Sequence, residues 1–172
     1  MNNTNDFFPE AGYKVPETSN YMKFATPGEH TFRVLSSAIV GYVYFNTENK
    51  PIRSKTTFDE TPSDLKKDGR ISHFWAFVVW NYEAKRVQIL EVAQKSIQTQ
   101  MQALINNVKW GNPKNYDITV TRKGTTMNDT EYTVMPNPHT PVDDEIVKKF
   151  QTMKINLEAL YEGLDPFAVD AK

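Results

Sequence analysis

Residues 71–82 read ISHFWAFVVWNY, a run without Gly or Pro that holds His73, Phe74, Trp75, Phe77, Trp80 and Tyr82. A segment so rich in Phe, Trp and Val is a strand. Strands send alternate side chains to opposite faces. One row is His73, Trp75, Phe77 and Val79; the other is Phe74, Ala76, Val78 and Trp80. Both rows are apolar, and a small barrel has one interior to fill. The second row therefore needs either a covering layer, such as a helix or a partner chain, or a ligand. Taken alone, the run favours the covering layer, because large aromatics are common in cores. A shift of one residue in register exchanges the rows, so the outward face stays open.

The neighbouring segments change that balance. Residues 31–46 alternate as one long strand, bent near Ser36-Ser37 and at Gly41, with Tyr42 and Tyr44 on one face. Residues 46–70 form a long connection carrying Lys50, Arg53, Lys55, Lys66, Lys67 and Arg70 among Glu48, Asp59, Glu60, Asp64 and Asp68. A connection of that length is a solvated loop or a functional flap. Glu83-Ala84-Lys85 turns the aromatic strand into a second one, 86–92, as a hairpin. Ile97, Met101, Leu104, Ile105 and Val108 form one apolar stripe of a helix over about 95–108. Trp110, in a turn-rich loop, is either a cap on the barrel or an extra stacking platform, and the cap is favoured. Strands follow at 116–122 and 131–135, and Pro136, Pro138 and Pro141 are expected to end regular structure.

The order is therefore long bent strand, strand, strand, helix, strand, strand. That is the order of an OB-fold, a five-stranded barrel with its helix between strands 3 and 4. The chain is expected to be mainly β with two helices, the second packed on the core at 141–162. An extended arm, 1–28, precedes the core at 29–140, and Phe7, Phe8, Tyr13 and Tyr21 give the arm some order. Asp143 caps the second helix, Val142 and Val147 staple it, and Gly163 ends it. A short acidic tail, 163–172, follows. OB-folds bind ligand across strands 2 and 3, between the 1–2 and 4–5 loops. Here those features are the aromatic strand, the 46–70 flap and a loop flanked by Arg122 and Lys123. Stacking aromatics and surrounding cations suit a single-stranded nucleic acid.

Charge agrees only locally. The net charge is −1, but residues 29–140 hold 14 Lys and Arg against 11 Asp and Glu. Local field rather than net charge decides where a polyanion sits. The chain has no Cys, which excludes disulfides and thiolate metal sites and fits a reducing cytoplasm. The amino terminus lacks a signal-peptide pattern, and no apolar run spans a bilayer. His30, His73 and His139 are far apart in sequence, and no phosphate-binding glycine loop, HExxH helix or nucleophile elbow is present, so the enzymatic reading is the weaker one.

The segments YMKF, EHTFRVLSS, HFWAFVVWN, VQILEVAQKSIQ, GNPKNYDITVTRKG, EYTVMPNPHTP and GLDPF together resemble zinc-free single-stranded-DNA-binding proteins of tailed bacteriophages, reduced relatives of the T-even helix-destabilising protein. The resemblance covers roughly residues 21–167. It implies an OB-fold that coats single-stranded DNA in phage replication and recombination, in the cytoplasm of the infected bacterial host. Phage replication or recombination proteins are its implied partners. It maps a stacking residue to Trp75 and basic contacts to Lys66, Lys67, Arg70 and Arg33. The T-even zinc ligands are cysteines, so no metal or other cofactor is carried over. The Asp165-Pro166-Phe167 tail is a weak echo of the partner-recruiting tails of bacterial counterparts.

The expected site is thus Trp75, Phe77, Tyr42 and Tyr44 for stacking, the two tyrosines being equally compatible with core. Arg33, Arg53, Lys55, Lys66, Lys67, Arg70, Arg122 and Lys123 are expected on phosphates, and Trp80 in the core. The competing reading is a structural or adaptor protein that uses the aromatic row as a protein interface.

Overall fold

The computed structural model describes residues 19–168. Phe7, Phe8 and Tyr13 of the expected arm lie outside them. The strands are β1 (Tyr21–Met22), β2 (Gly28–Val34), β3 (Ile39–Phe45), β4 (Pro51–Ser54), β5 (Ser72–Asn81), β6 (Arg86–Val92), β7 (Tyr116–Lys123) and β8 (Glu131–His139). Helix α1 (Lys95–Ile105) follows β6, and α2 (Asp144–Met153) follows β8. Short 3-10 segments occupy Pro113–Asn115 and Leu157–Glu162. All eight strands belong to one mixed sheet, in which β1 runs parallel to β6 and the other pairings are antiparallel.

The aromatic run is the centre of this sheet. Strand β5 pairs with β6 along its length, with β2 at its end and with β3 at its start. The long strand expected over 31–46 is β2 and β3, interrupted at 35–38. Serine chemistry stitches the bend: the Ser36 hydroxyl accepts from the Val78 amide at 2.8 Å, and Leu35 N–H donates to the Val78 carbonyl at 2.8 Å. Beyond the bend, β3 lies so close to β4 that a Cβ on Gly41 would run into the Ser54 carbonyl oxygen and crowd the Phe74 ring. Gly41→Ala is expected to destabilise the domain by about 1–3 kcal/mol. A lower urea midpoint at unchanged slope checks it.

Both rows of β5 are covered. Phe77 and Val79 join Phe32, Val34, Leu90, Ile97, Met101 and Ile118 in one core, closed by α1. Phe74, Ala76, Val78 and Trp80 form a second core with Ile89, Ile146 and Leu160, roofed by α2 and the segment after it. Lys149 of α2 lies over the Trp80 ring, 5.3 Å from its centroid. The covering-layer reading of the aromatic strand is thus the one the structure shows for most of its length.

The sheet does not close. Ladders join β2 and β3 to β5, β5 to β6, β2 to β7 and β7 to β8, but none joins β6 to β8 among the described residues. The outer edge of β6 is instead taken by β1, and Met22 and Phe24 are buried beside it. The end of the expected arm is therefore part of the core. Helix α1 stands next to the edge of β8, where Gln100 replaces a strand. Its side-chain amide donates to Tyr132 O at 2.9 Å and its oxygen accepts from Val134 N at 2.9 Å. Gln98 fixes the same helix to the carbonyls of His73 and Val92.

Three boundaries depart from the sequence expectation. Helix α1 stops at Ile105, leaving Val108 fully exposed. Strand β8 continues to His139 through both prolines, which an edge strand tolerates because a missing N–H can face outward. The helix expected to 162 breaks after Met153, where Lys154 adopts a left-handed conformation (φ 50°). The chain then re-enters the sheet face as a 3-10 segment that Gly163 terminates. The tail is docked: Pro166 O accepts from Asn156 N–H, and Phe167 meets Tyr21 edge-on at 6.4 Å. The Asp143 cap is present, its side chain accepting from Glu145 N–H.

Candidate nucleic-acid interface

Strand register fixes which groups share a surface. Tyr42 pairs with His73 and Val40 with Trp75, so these four lie on the row that continues into Phe77. Val43 pairs with Ser72 and with Arg53, and Phe45 with Pro51, so these lie on the opposite face, beside Phe74.

On the first face, Phe77 is buried and cannot stack on a base. Tyr44 is also core: it is 5% exposed, its hydroxyl donates to Asp64 at 2.7 Å, and Phe58 meets its ring edge-on at 5.3 Å. Tyr42 is half-buried, 5.2 Å from the exposed His73 ring. Trp75 is half-buried and walls an apolar pocket of about 380 Å³ between the 34–38 bend, α1 and residues 112–114. Trp110 is half-buried against the core and edge-on to Tyr116 at 5.5 Å.

Several expected phosphate ligands are committed elsewhere. Arg33 is 1% exposed; it donates to Asp117 at 2.6 Å, to Lys114 O at 3.2 Å and to Thr140 Oγ1 at 2.9 Å. Its alternation with Phe32 was legible, but a charged partner across β7 drew it inward. Asp117 also accepts from Tyr82, whose hydroxyl is pushed up to about 12, first by burial and then by this hydrogen bond. Arg122 donates to Phe24 O at 2.7 Å. Arg122 and Lys123 sit at the far end of β7 from Lys114, roughly 25 Å of extended chain away. The expected meeting of the 4–5 loop with Trp75 is therefore not made. Lys55 pairs with Glu158 at 2.9 Å and lies over the Tyr161 ring; the Glu158 hydrogen bond holds its ammonium above the usual lysine range.

The basic flap is more structured than expected. Strand β4 pairs back on β3, and Leu65 bridges to Asn46. This carries Lys66 and Arg70 to the second face. There, an open groove of about 880 Å³ is lined by Val43, Phe45, Pro51 and Leu164, with Lys23, Lys50, Arg53 and Arg70 around them. A smaller hollow of about 310 Å³ continues it past Lys66, sharing Phe45 and Arg70. Phe45 is 51% exposed at the junction. Arg53 is tied to Glu91 by two hydrogen bonds, at 2.6 and 3.1 Å, and forms floor rather than rim. Lys50 makes an exposed pair with Glu48 at 3.4 Å, a weak tie in water. Lys23, Lys66, Lys67 and Arg70 make no ion pair among the described residues.

Of the expected site residues, the groove thus gathers Lys66, Arg70 and Arg53, with Lys67 exposed next to Lys66. It adds Phe45, Lys23 and Lys50, which the sequence argument did not select. The signal was present: in 39–45 the residues alternating against Tyr42 and Tyr44 are Val43 and Phe45, on the same face as Arg53. No family model, no curated protein and no solved structure matches the chain.

Proposed function

We propose that this chain is a non-enzymatic single-stranded-DNA-binding protein whose strand lies in the Phe45 groove. The observation that carries the reading is an exposed aromatic ring in an open groove among Lys23, Lys66 and Arg70, which make no ion pair among the described residues. A single strand needs this combination: a π-face for bases of any identity and positive charge along the sugar-phosphate path. Phe45 takes the stacking role first expected of Trp75 and Phe77. The open sheet is read as an OB-like barrel whose ligand face is narrowed by the roof of α2. The resemblance implies a role in phage replication and recombination within the infected host, with proteins of those processes as partners.

The test is fluorescence anisotropy of labelled oligo(dT) titrated with protein across a salt series, with duplex DNA in parallel. Phe45→Ala is expected to weaken binding by about 1–3 kcal/mol, the value of one stacked base. Tight, salt-sensitive binding of the single strand over the duplex supports the proposal. Absence of affinity at low salt removes it and leaves the groove as a protein interface.

A further inference from the structure

Among the described residues the Phe45 groove is lined by one acidic side chain, Glu91, against Lys23, Lys50, Arg53 and Arg70. A site built only to attract phosphates would be stronger without it. Glu91 lies on the floor, and both its oxygens are committed to one partner. Oε1 accepts from Arg53 Nε at 3.1 Å and Oε2 from Arg53 Nη2 at 2.6 Å. This bond joins β4 to β6 over β3 and β5, which lie between them in the sheet. Arg53 is also held against the Phe74 ring, 5.9 Å from its centroid. The Arg53 and Glu91 side chains are 10% and 21% exposed. The floor is therefore a fixed ion pair with no net charge, and Lys23, Lys50 and Arg70 stand around it.

We propose, on the premise that the groove carries DNA, that Glu91 sets its preference for single strands over duplex. A polynucleotide can offer the floor either phosphates or bases. A phosphate brought there would meet a carboxylate and find Arg53 already bound, and like charge held at close range is how a site rejects a wrong partner. A base edge carries both donors and acceptors, and an ion pair offers both in return. A single strand can turn its bases to Phe45 and the floor while its phosphates follow the surrounding cations. A duplex keeps its bases stacked inside and presents phosphates, so it reaches the cations and is refused the floor. Removing the carboxylate leaves the Arg53 charge uncompensated and opens the floor to a phosphate. The duplex gains from that change, while the single strand, already seated by its bases, gains little.

The test is anisotropy with oligo(dT) and with duplex of equal length across a salt series. Glu91→Gln is expected to tighten duplex binding about tenfold, the value of one hydrogen bond to a charged group. The salt dependence of duplex binding should steepen by roughly 0.9, one added phosphate contact. Glu48→Gln removes an equal charge from the exposed pair with Lys50 and should leave the ratio of the two affinities unchanged. Arg53→Gln with Glu91→Gln removes both charges together, and its neutral floor should restore the ratio. A purely structural role for Glu91 predicts instead a lower urea midpoint, with both affinities falling together. That result overturns the proposal. So does a ratio that survives Glu91→Gln, one that falls equally in Glu48→Gln, or one that stays low in the double variant. Oligo(dT) binding by the unmodified chain is the separate test of the groove: where it holds, these failures remove only the role of Glu91, and where it is absent both readings fall.

Discussion

Lys66→Glu combined with Arg70→Glu should lower oligo(dT) affinity by about a hundredfold or more at low salt. Each side chain borders Phe45 and neither makes an ion pair among the described residues. A hydrogen bond to a charged group is worth about 1.5–3 kcal/mol, and two of them amount to at least roughly a hundredfold. Charge reversal adds repulsion to that loss. Losing two phosphate contacts on a single strand should also flatten the dependence of log K on log salt by roughly 1.4. The salt slope distinguishes this from misfolding, because a partly unfolded sample loses active fraction without changing slope. Arg122→Glu with Lys123→Glu, at the far end of β7, is the matched control and should leave the slope unchanged. If the two double variants behave alike, the Phe45 groove is not the path of the strand.

The largest loss of stability is expected from Asp117→Ala. It strips the carboxylate from Arg33, which is 1% exposed and has only two neutral acceptors left, Lys114 O and Thr140 Oγ1. Removing one partner of a buried pair costs about 3–5 kcal/mol. Asp117 is itself 23% exposed, which places the loss near the lower end. About 3 kcal/mol corresponds to a fall in Tm of roughly 6–12 °C for a domain of this size. Asp117→Asn keeps an acceptor for both Arg33 and Tyr82 and should recover part of it. Oligo(dT) affinity of the folded variant should not change, since Arg33 lies outside the groove. Calorimetry and anisotropy on the same samples check both halves.

The same cluster shapes the alkaline limb of stability. Tyr82 is raised to about 12 in the folded chain from an ordinary value of 10.0. A raised folded value means that the unfolded chain releases this proton first. The contribution is complete below pH 10 and is lost as pH climbs through 12. Tyr82→Phe should therefore flatten the fall in stability over that window, read by urea midpoints at successive pH values.

The sequence foretold the fold where a local pattern and a tertiary need coincided. The aromatic strand, its hairpin partner, the amphipathic start of α1 and the Asp143 cap were all legible for that reason. Barrel closure was not, because it depends on which segment reaches the free edge of β6. Tyr21 and Met22 sit in a polar, proline-rich stretch with no strand pattern, yet they take that edge. The break at Lys154 was hidden too, since a left-handed lysine carries no compositional mark.

The burial of the expected site residues was hidden for a related reason. Aromatic content drew attention to Trp75 and Phe77, but an aromatic-rich strand at the centre of a sheet is where cover is most complete. The cations of the flap were legible in the sequence, but their face was set by β4 pairing back on β3, which two prolines and a charged stretch concealed. Arg33 looked like a surface cation because its partner, Asp117, is 84 residues away in sequence.

Gln100 has a consequence for crowding. A protein that lines a strand with many copies holds its sheets at high local density, where open edges recruit one another into extended sheets. In this chain β1 occupies the edge of β6, while β8 presents Pro136 and Pro138 and spends the Tyr132 carbonyl and the Val134 amide on one glutamine side chain. An amide two bonds wide stands where a whole strand would otherwise be admitted. Copies crowded on one strand, as the proposed function requires, would then meet without joining edge to edge.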